Sequence, residues 1–147
     1  MQLPAKLSVH PDRNMIVFRD DEHDGYDPDF AASPRHGNLQ SNTYQACLYT
    51  IQTLEPVTLH FTAAAPDHDA VGQATVGMPT GVLVVSEVTR GAHGPYSLPD
   101  GPGVYEICAY RHRGTTASPI VGDGIASGEH YVITVQRTAD WHDEDDD

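Results

Sequence analysis

The sequence predicts an all-β protein: a two-sheet antiparallel β-sandwich of about eight strands with long acidic loops. Three observations carry that prediction. Pro (11) and Gly (13) recur along the whole 147-residue chain. The stretches between them are short and rich in β-branched or aromatic residues, and most alternate apolar with polar residues, the period of a half-buried strand. Helix signals are thin, limited to one helical turn near Asp29 to Ala32. The length is that of one domain, able to bury roughly two thirds of its unfolded surface. We therefore expect a single sandwich over residues 1–139 and an acidic C-terminal tail over residues 140–147.

Taken in chain order, strands are expected at Lys6 to His10, Asn14 to Arg19, Thr43 to Thr53, Val57 to Thr62, Gly72 to Val76, Val82 to Val88, Val104 to Arg111 and His130 to Arg137. Alternation assigns their faces. Val57, Leu59 and Phe61 point to the core, opposite Thr58, His60 and Thr62. Tyr105, Ile107 and Ala109 oppose Val104, Glu106, Cys108 and Tyr110, and Tyr131, Ile133 and Val135 form the inner set of the last strand. Val82 to Val85 is apolar at every position, as in a strand covered on both faces. Asp20 to Asn42 and Arg113 to Gly128 are rich in Gly, Pro, Ser, Thr and Asp and read as loops.

Eight Lys plus Arg against 21 Asp plus Glu give a net charge of -13. That balance argues against direct nucleic-acid binding, which needs concentrated cations, and against anionic membrane surfaces. No apolar run approaches the roughly 20 residues of a membrane span. The acids are clustered: residues 20–29 hold six and residues 140–147 hold six more, with no Lys or Arg in either stretch. The rest of the chain is nearly neutral. The N-terminus lacks the charged and apolar regions of a signal peptide, so a cytoplasmic location is expected, with the cell envelope as the alternative. Cys47 and Cys108 are accordingly expected to stay reduced.

Enzymatic chemistry has little support. There is no GxSxG elbow. Cys108 and His112 share a strand face but lie four residues, about 13 Å, apart, too far for a nucleophile and its base. Nine histidines show none of the close spacings of zinc sites, so an enzyme would have to assemble its site from distant His and Asp residues. Asp67-His68-Asp69 is the nearest approach to a local ligand cluster. Asp20-Asp21-Glu22-His23-Asp24-Gly25 begins like a calcium loop, with Asp20, Glu22 and Asp24 as candidate ligands. However, Ala31 stands where a bidentate Glu should close the site. No cofactor is therefore expected, calcium being the exception a sandwich loop could hold. Arg111-His112-Arg113 is the one basic cluster, a candidate for an internal ion pair with the tail.

Four segments in order resemble the competence protein J family. They are Leu7-Ser8-Val9 leading into Ile16-Val17-Phe18-Arg19-Asp20; Ala74-Thr75-Val76 through Pro79-Thr80-Gly81 and Val82 to Val88; Leu98-Pro99-Asp100-Gly101 with Val104-Tyr105; and His130-Tyr131-Val132-Ile133. The resemblance covers most of the chain and implies a small bacterial single-domain protein, the named member of the family being an inhibitor of a DNA-entry nuclease. The long polar loop after Phe30 and the extended Gly114 to Gly128 stretch depart from the family's pattern.

The expected function is a non-enzymatic protein-binding module, an inhibitor or immunity-type protein for a basic partner such as a nuclease. A nuclease displays a cationic groove for phosphates that clustered carboxylates can occupy. The expected contact set is Asp20, Asp21, Glu22, Asp24, Asp27 and Asp29, with Tyr26 as an aromatic anchor. The tail acids come second, because ordering a flexible segment costs entropy. The alternative is a calcium-binding or calcium-stabilised sandwich using the same loop.

Overall fold

A computed structural model describes residues 3–10, 14–22, 35–42, 44–50, 57–66, 69–87, 91–111 and 130–140. Among them the chain forms eleven strands and no helix. These are β1 (Lys6–Val9), β2 (Met15–Asp20), β3 (Arg35–His36), β4 (Leu39–Ser41), β5 (Gln45–Tyr49), β6 (Val57–Phe61), β7 (Gly72–Met78), β8 (Val82–Ser86), β9 (Ala92–Ser97), β10 (Gly103–Arg111) and β11 (His130–Ala139). Two sheets result, a five-stranded one ordered β1-β6-β11-β10-β7 and a six-stranded one ordered β3-β4-β5-β2-β8-β9. All pairings are antiparallel except β11 with β6.

The eight expected strands are present with ends shifted by a few residues, and three further strands are not among them. β3 and β4 lie inside the stretch Asp20 to Asn42 that reads as a loop, and β9 carries the sequence AHGPYS. All three lie at or next to an edge of the six-stranded sheet. Their pairing comes from a neighbour's backbone groups and not from their own propensity, which is why a β-poor segment can take the role. The helical turn near Asp29 to Ala32 falls outside the described residues, as do the whole loop Arg113 to Gly128 and the Asp67-His68 pair.

Between the sheets the inward sets interdigitate. Val57, Leu59, Tyr105, Ile107, Ala109, Tyr131 and Ile133 from one sheet meet Ile16, Phe18, Ala46, Leu48, Leu83 and Val85 from the other, all buried, with Phe61 and Val135 partly buried at the margin. Cys47 and Val84 alternate with these core residues and are buried on the other face of the six-stranded sheet. The uninterrupted apolar run of β8 thus serves two faces. Cys47 and Cys108 belong to different sheets and form no disulfide. Burial pushes the Cys108 thiol above its ordinary 9.0, and the nearby Glu106 carboxylate adds to the shift.

The two sheets meet along one side. Gly37 and Gly72 form an isolated antiparallel bridge and Asn38 N–H donates to the Val71 carbonyl at 2.9 Å, joining the β3–β4 hairpin to β7. A Cβ on Gly37, whose φ is +66°, would stand 1.9 Å from the Val71 oxygen, so the close approach requires glycine. No helix among the described residues is long and apolar enough to cross a membrane.

Adjacent positions of β10 test the assignment of faces. Ile107→Ala, at 0% exposure, should destabilise the protein by about 2 to 5 kcal/mol in urea unfolding. Cys108→Ala on the opposite face should cost about 1 kcal/mol or less.

Candidate functional site

The acidic segment begins where β2 ends. Asp20 is the last residue of that strand and is fully buried, at 0% exposure. A buried carboxyl needs donors, and three are present: Thr80 N–H at 3.1 Å and Thr80 Oγ1 at 2.7 Å reach one oxygen, and Glu22 N–H at 3.1 Å reaches the other. Asp20 is expected at a partner surface, yet its oxygens are committed to the turn that carries the chain from β7 into β8. Asp21 and Glu22, the next two residues, are exposed. Asp21 N–H continues the β2–β8 pairing by donating to the Val82 carbonyl at 2.9 Å. Arg19 places its guanidinium near the carbonyl oxygens of Asp20 and Asp21, at 3.4 and 3.3 Å.

The same turn leads to a second one. Gly81, with φ +70°, lies so close to Gly101 that a Cβ would stand 2.5 Å from its carbonyl carbon. Leu98 N–H donates to the Gly81 carbonyl at 2.9 Å. Residues 98–102 carry the chain from β9 into β10, and the Tyr105 hydroxyl donates to the Gly101 carbonyl at 2.5 Å. Asp100 stands exposed on this turn. Burial first, and the charge of Asp100 second, push the Tyr105 hydroxyl above its ordinary 10.0.

β11 ends beside these turns. Its Ala139 pairs with Val104 at the start of β10. Arg137 Nε donates to the Pro102 carbonyl at 3.0 Å, and the Arg137 guanidinium pairs with Asp140. Both acidic segments therefore leave the sandwich from one end, which also carries Asp100. Asp24, Tyr26, Asp27 and Asp29 lie outside the described residues, as do the tail residues 141–147. Sequence reasoning missed Asp100 and the Arg137–Asp140 pair as part of this surface. The LPDG turn that presents Asp100 was legible, but not its place beside the end of β2.

Of the candidate calcium ligands, Asp20 is occupied as described, Glu22 is exposed and Asp24 is outside the described residues. No group of three or more His, Cys, Asp or Glu side chains able to hold a metal occurs among the described residues. The other end of the sandwich carries histidines. His93 Nε2 lies 2.8 Å from Glu87 Oε2, the same oxygen that accepts the His10 backbone N–H at 2.9 Å, tying the end of β1 to β8 and β9. Partial burial pushes the Glu87 carboxyl up, but the His93 and His10 hydrogen bonds and the two imidazoles outweigh it and hold the carboxyl below its ordinary 4.5. His60 Nε2 and His130 Nδ1 are 3.0 Å apart with stacked rings on neighbouring strands.

Among solved structures the chain is similar to ComJ from Bacillus subtilis, described as an inhibitor of the DNA-degrading activity of NucA. The TM-score is 0.56 at 6% identity, covering 90% of this chain and 95% of that one. The chain shares its fold with ComJ. A crocagin biosynthetic gene J product also matches, at a TM-score of 0.46 and 16% identity, over 90% of this chain and 96% of the other. No family model matches the sequence, and no curated protein does.

Two predictions follow from the geometry. Asp20→Ala leaves three donors without their acceptor and should lower stability by about 1 to 3 kcal/mol in chemical denaturation, whereas Asp21→Ala should change it by about 0.5 kcal/mol or less. Glu87 holds its proton less tightly folded than unfolded. Its contribution is therefore complete above the ordinary value of 4.5 and is lost as pH falls through the lower folded value. Glu87→Gln should flatten that part of the stability-against-pH curve, read as melting temperature from pH 6 downward.

Proposed function

We propose that the protein is a non-enzymatic binding module whose acidic end docks on a basic protein, a nuclease being the best-fitting partner. The observation that carries this reading is the common exit of the two acidic segments. Asp20 to Glu22 and Arg137 to Asp140 sit beside one pair of packed turns. A carboxylate cluster on an otherwise nearly neutral body presents a local negative field, which speeds encounter with a cationic groove. ComJ, whose fold the chain shares, supplies the precedent of an inhibitor acting on a DNA-degrading protein.

In this reading the contact set is Asp21, Glu22, Asp24, Asp27 and Asp29 with Tyr26 as anchor, joined by Asp100. Asp20 acts by fixing the platform. The tail acids remain secondary contributors, because ordering them on a partner costs entropy.

The test starts with affinity capture from the native host at low salt, identification of a basic partner, and assay of that partner's DNA degradation with equimolar protein. Inhibition is expected, and so is an affinity that falls as salt rises from 50 to 300 mM. The triple variant Asp21→Lys, Glu22→Lys, Asp24→Lys should weaken binding by at least tenfold while melting as the wild type does. Unchanged binding by that variant at moderate salt sinks the acidic-end mechanism. Capture of a partner with no nuclease activity removes the nuclease assignment and leaves the docking surface standing.

A further inference from the structure

An open cavity of about 690 Å³ lies at the same end of the sandwich, formed by the five-stranded sheet, the segment ahead of β1 and the turn after β9. Its lining is mixed: Leu3 ahead of β1, Phe61 at the end of β6, Leu98 after β9, Tyr105 on β10, and Ile133 and Val135 on β11 are apolar, and Thr62 and Gln136 add neutral polar groups. The volume lies within the range of small-ligand sites, roughly 300 to 1,000 Å³, which typically pair an apolar lining with a few polar groups. Here the charged groups on the lining are Asp100 and Arg137.

The two charges are not equally available. Arg137 lies across Gly103, where a Cβ would stand 2.5 Å from its Nε. It donates to the Pro102 carbonyl, and it is paired with Asp140. Asp100 is exposed, with no hydrogen-bond or ion-pair partner among the described residues. Its field reaches the floor of the cavity at the Tyr105 hydroxyl. The rim is thus a mixed opening with one carboxylate uncommitted among the described residues, and the neighbouring acids Asp21 and Glu22 lie on the same end.

We infer that this cavity binds a small hydrophobic organic cation, its apolar body between Phe61, Leu98 and Val135 and its ammonium group against the Asp100 carboxylate. The inference does not rest on the partner reading, although the two share Asp100, since it concerns the cavity and not the acidic loop.

The test uses two fluorescent probes that share the dansyl group: dansylcadaverine, which carries an ammonium, and dansylamide, which is neutral. Anionic anilinonaphthalene sulfonate completes the set. Titrations in 150 mM salt should show saturable one-to-one binding of dansylcadaverine, at least fivefold tighter than dansylamide. Asp100→Asn should bring that ratio below twofold. Val135→Arg, which puts a cation at the rim, and Ala63→Trp, which fills the mouth from an exposed position, should each abolish binding of both dansyl probes. At least one of these two blocking variants is expected to melt normally. Asp21→Asn with Glu22→Gln should leave all affinities unchanged. Equal affinity for the two dansyl probes, or tighter binding of the sulfonate, overturns the cation assignment. Wild-type binding by a correctly folded blocking variant overturns the site. Loss of binding on neutralising Asp21 and Glu22 also overturns it, by showing general attraction to the acidic loop.

Discussion

A carboxyl group with no exposed surface holds one end of this sandwich together. Asp20 sits at the end of a strand of the six-stranded sheet, and the turn it binds through Thr80 is where the chain leaves the five-stranded sheet for the six-stranded one. The return crossing, residues 98–102, packs against that turn at Gly81 and Gly101. The two crossings are therefore locked to each other, and Asp20 locks one of them to β2. Removing its oxygens would leave the backbone N–H groups of Thr80 and Glu22 and the Thr80 hydroxyl without an acceptor, at the joint that sets how the sheets overlie. The positions of the exposed acids Asp21, Glu22 and Asp100 depend on that joint.

Much of the fold is legible in the sequence because strand alternation is a local signal. The inward sets of β6, β10 and β11 follow from the period of two alone, and the apolar run of β8 announces a strand buried on both faces, as Val84 and Leu83 are. What was illegible depends on pairing with a neighbouring strand and not on the segment's own composition. β9 contains Gly94 and Pro95 and would not be chosen as a strand, yet it pairs with β8 across a register shift. β3 has only two residues and gains its place from β4 and from the bridge beside it to β7.

The site divides in the same way. That residues 20–29 and 140–147 concentrate the charge is readable by counting. That the first of those acids is buried is not, because Asp20 and Asp21 are chemically identical neighbours and only the strand's facing separates them. The decisive donor, Thr80, lies 60 residues away. The convergence of the two segments is also hidden, since it requires the register of β11 on β10 and of β10 on β7, which place Ala139 and Met78 at the same end.

Charge clustered in this way has a physical consequence for recognition. A field from many carboxylates acts over roughly a Debye length and is not directional in detail, so it raises the rate of encounter with any cationic surface more than it selects among them. Selection needs groups held in fixed positions. On the described surface of the acidic end those are Asp100, held on the turn that packs against Gly81, and the cavity beside it, floored by Tyr105 and Ile133. Asp21 and Glu22 follow directly from the strand that Asp20 anchors and share that rigidity at their base. In the proposed reading, therefore, the clustered acids would attract a partner and the turn at Asp100, positioned by the packing of the two crossings, would discriminate.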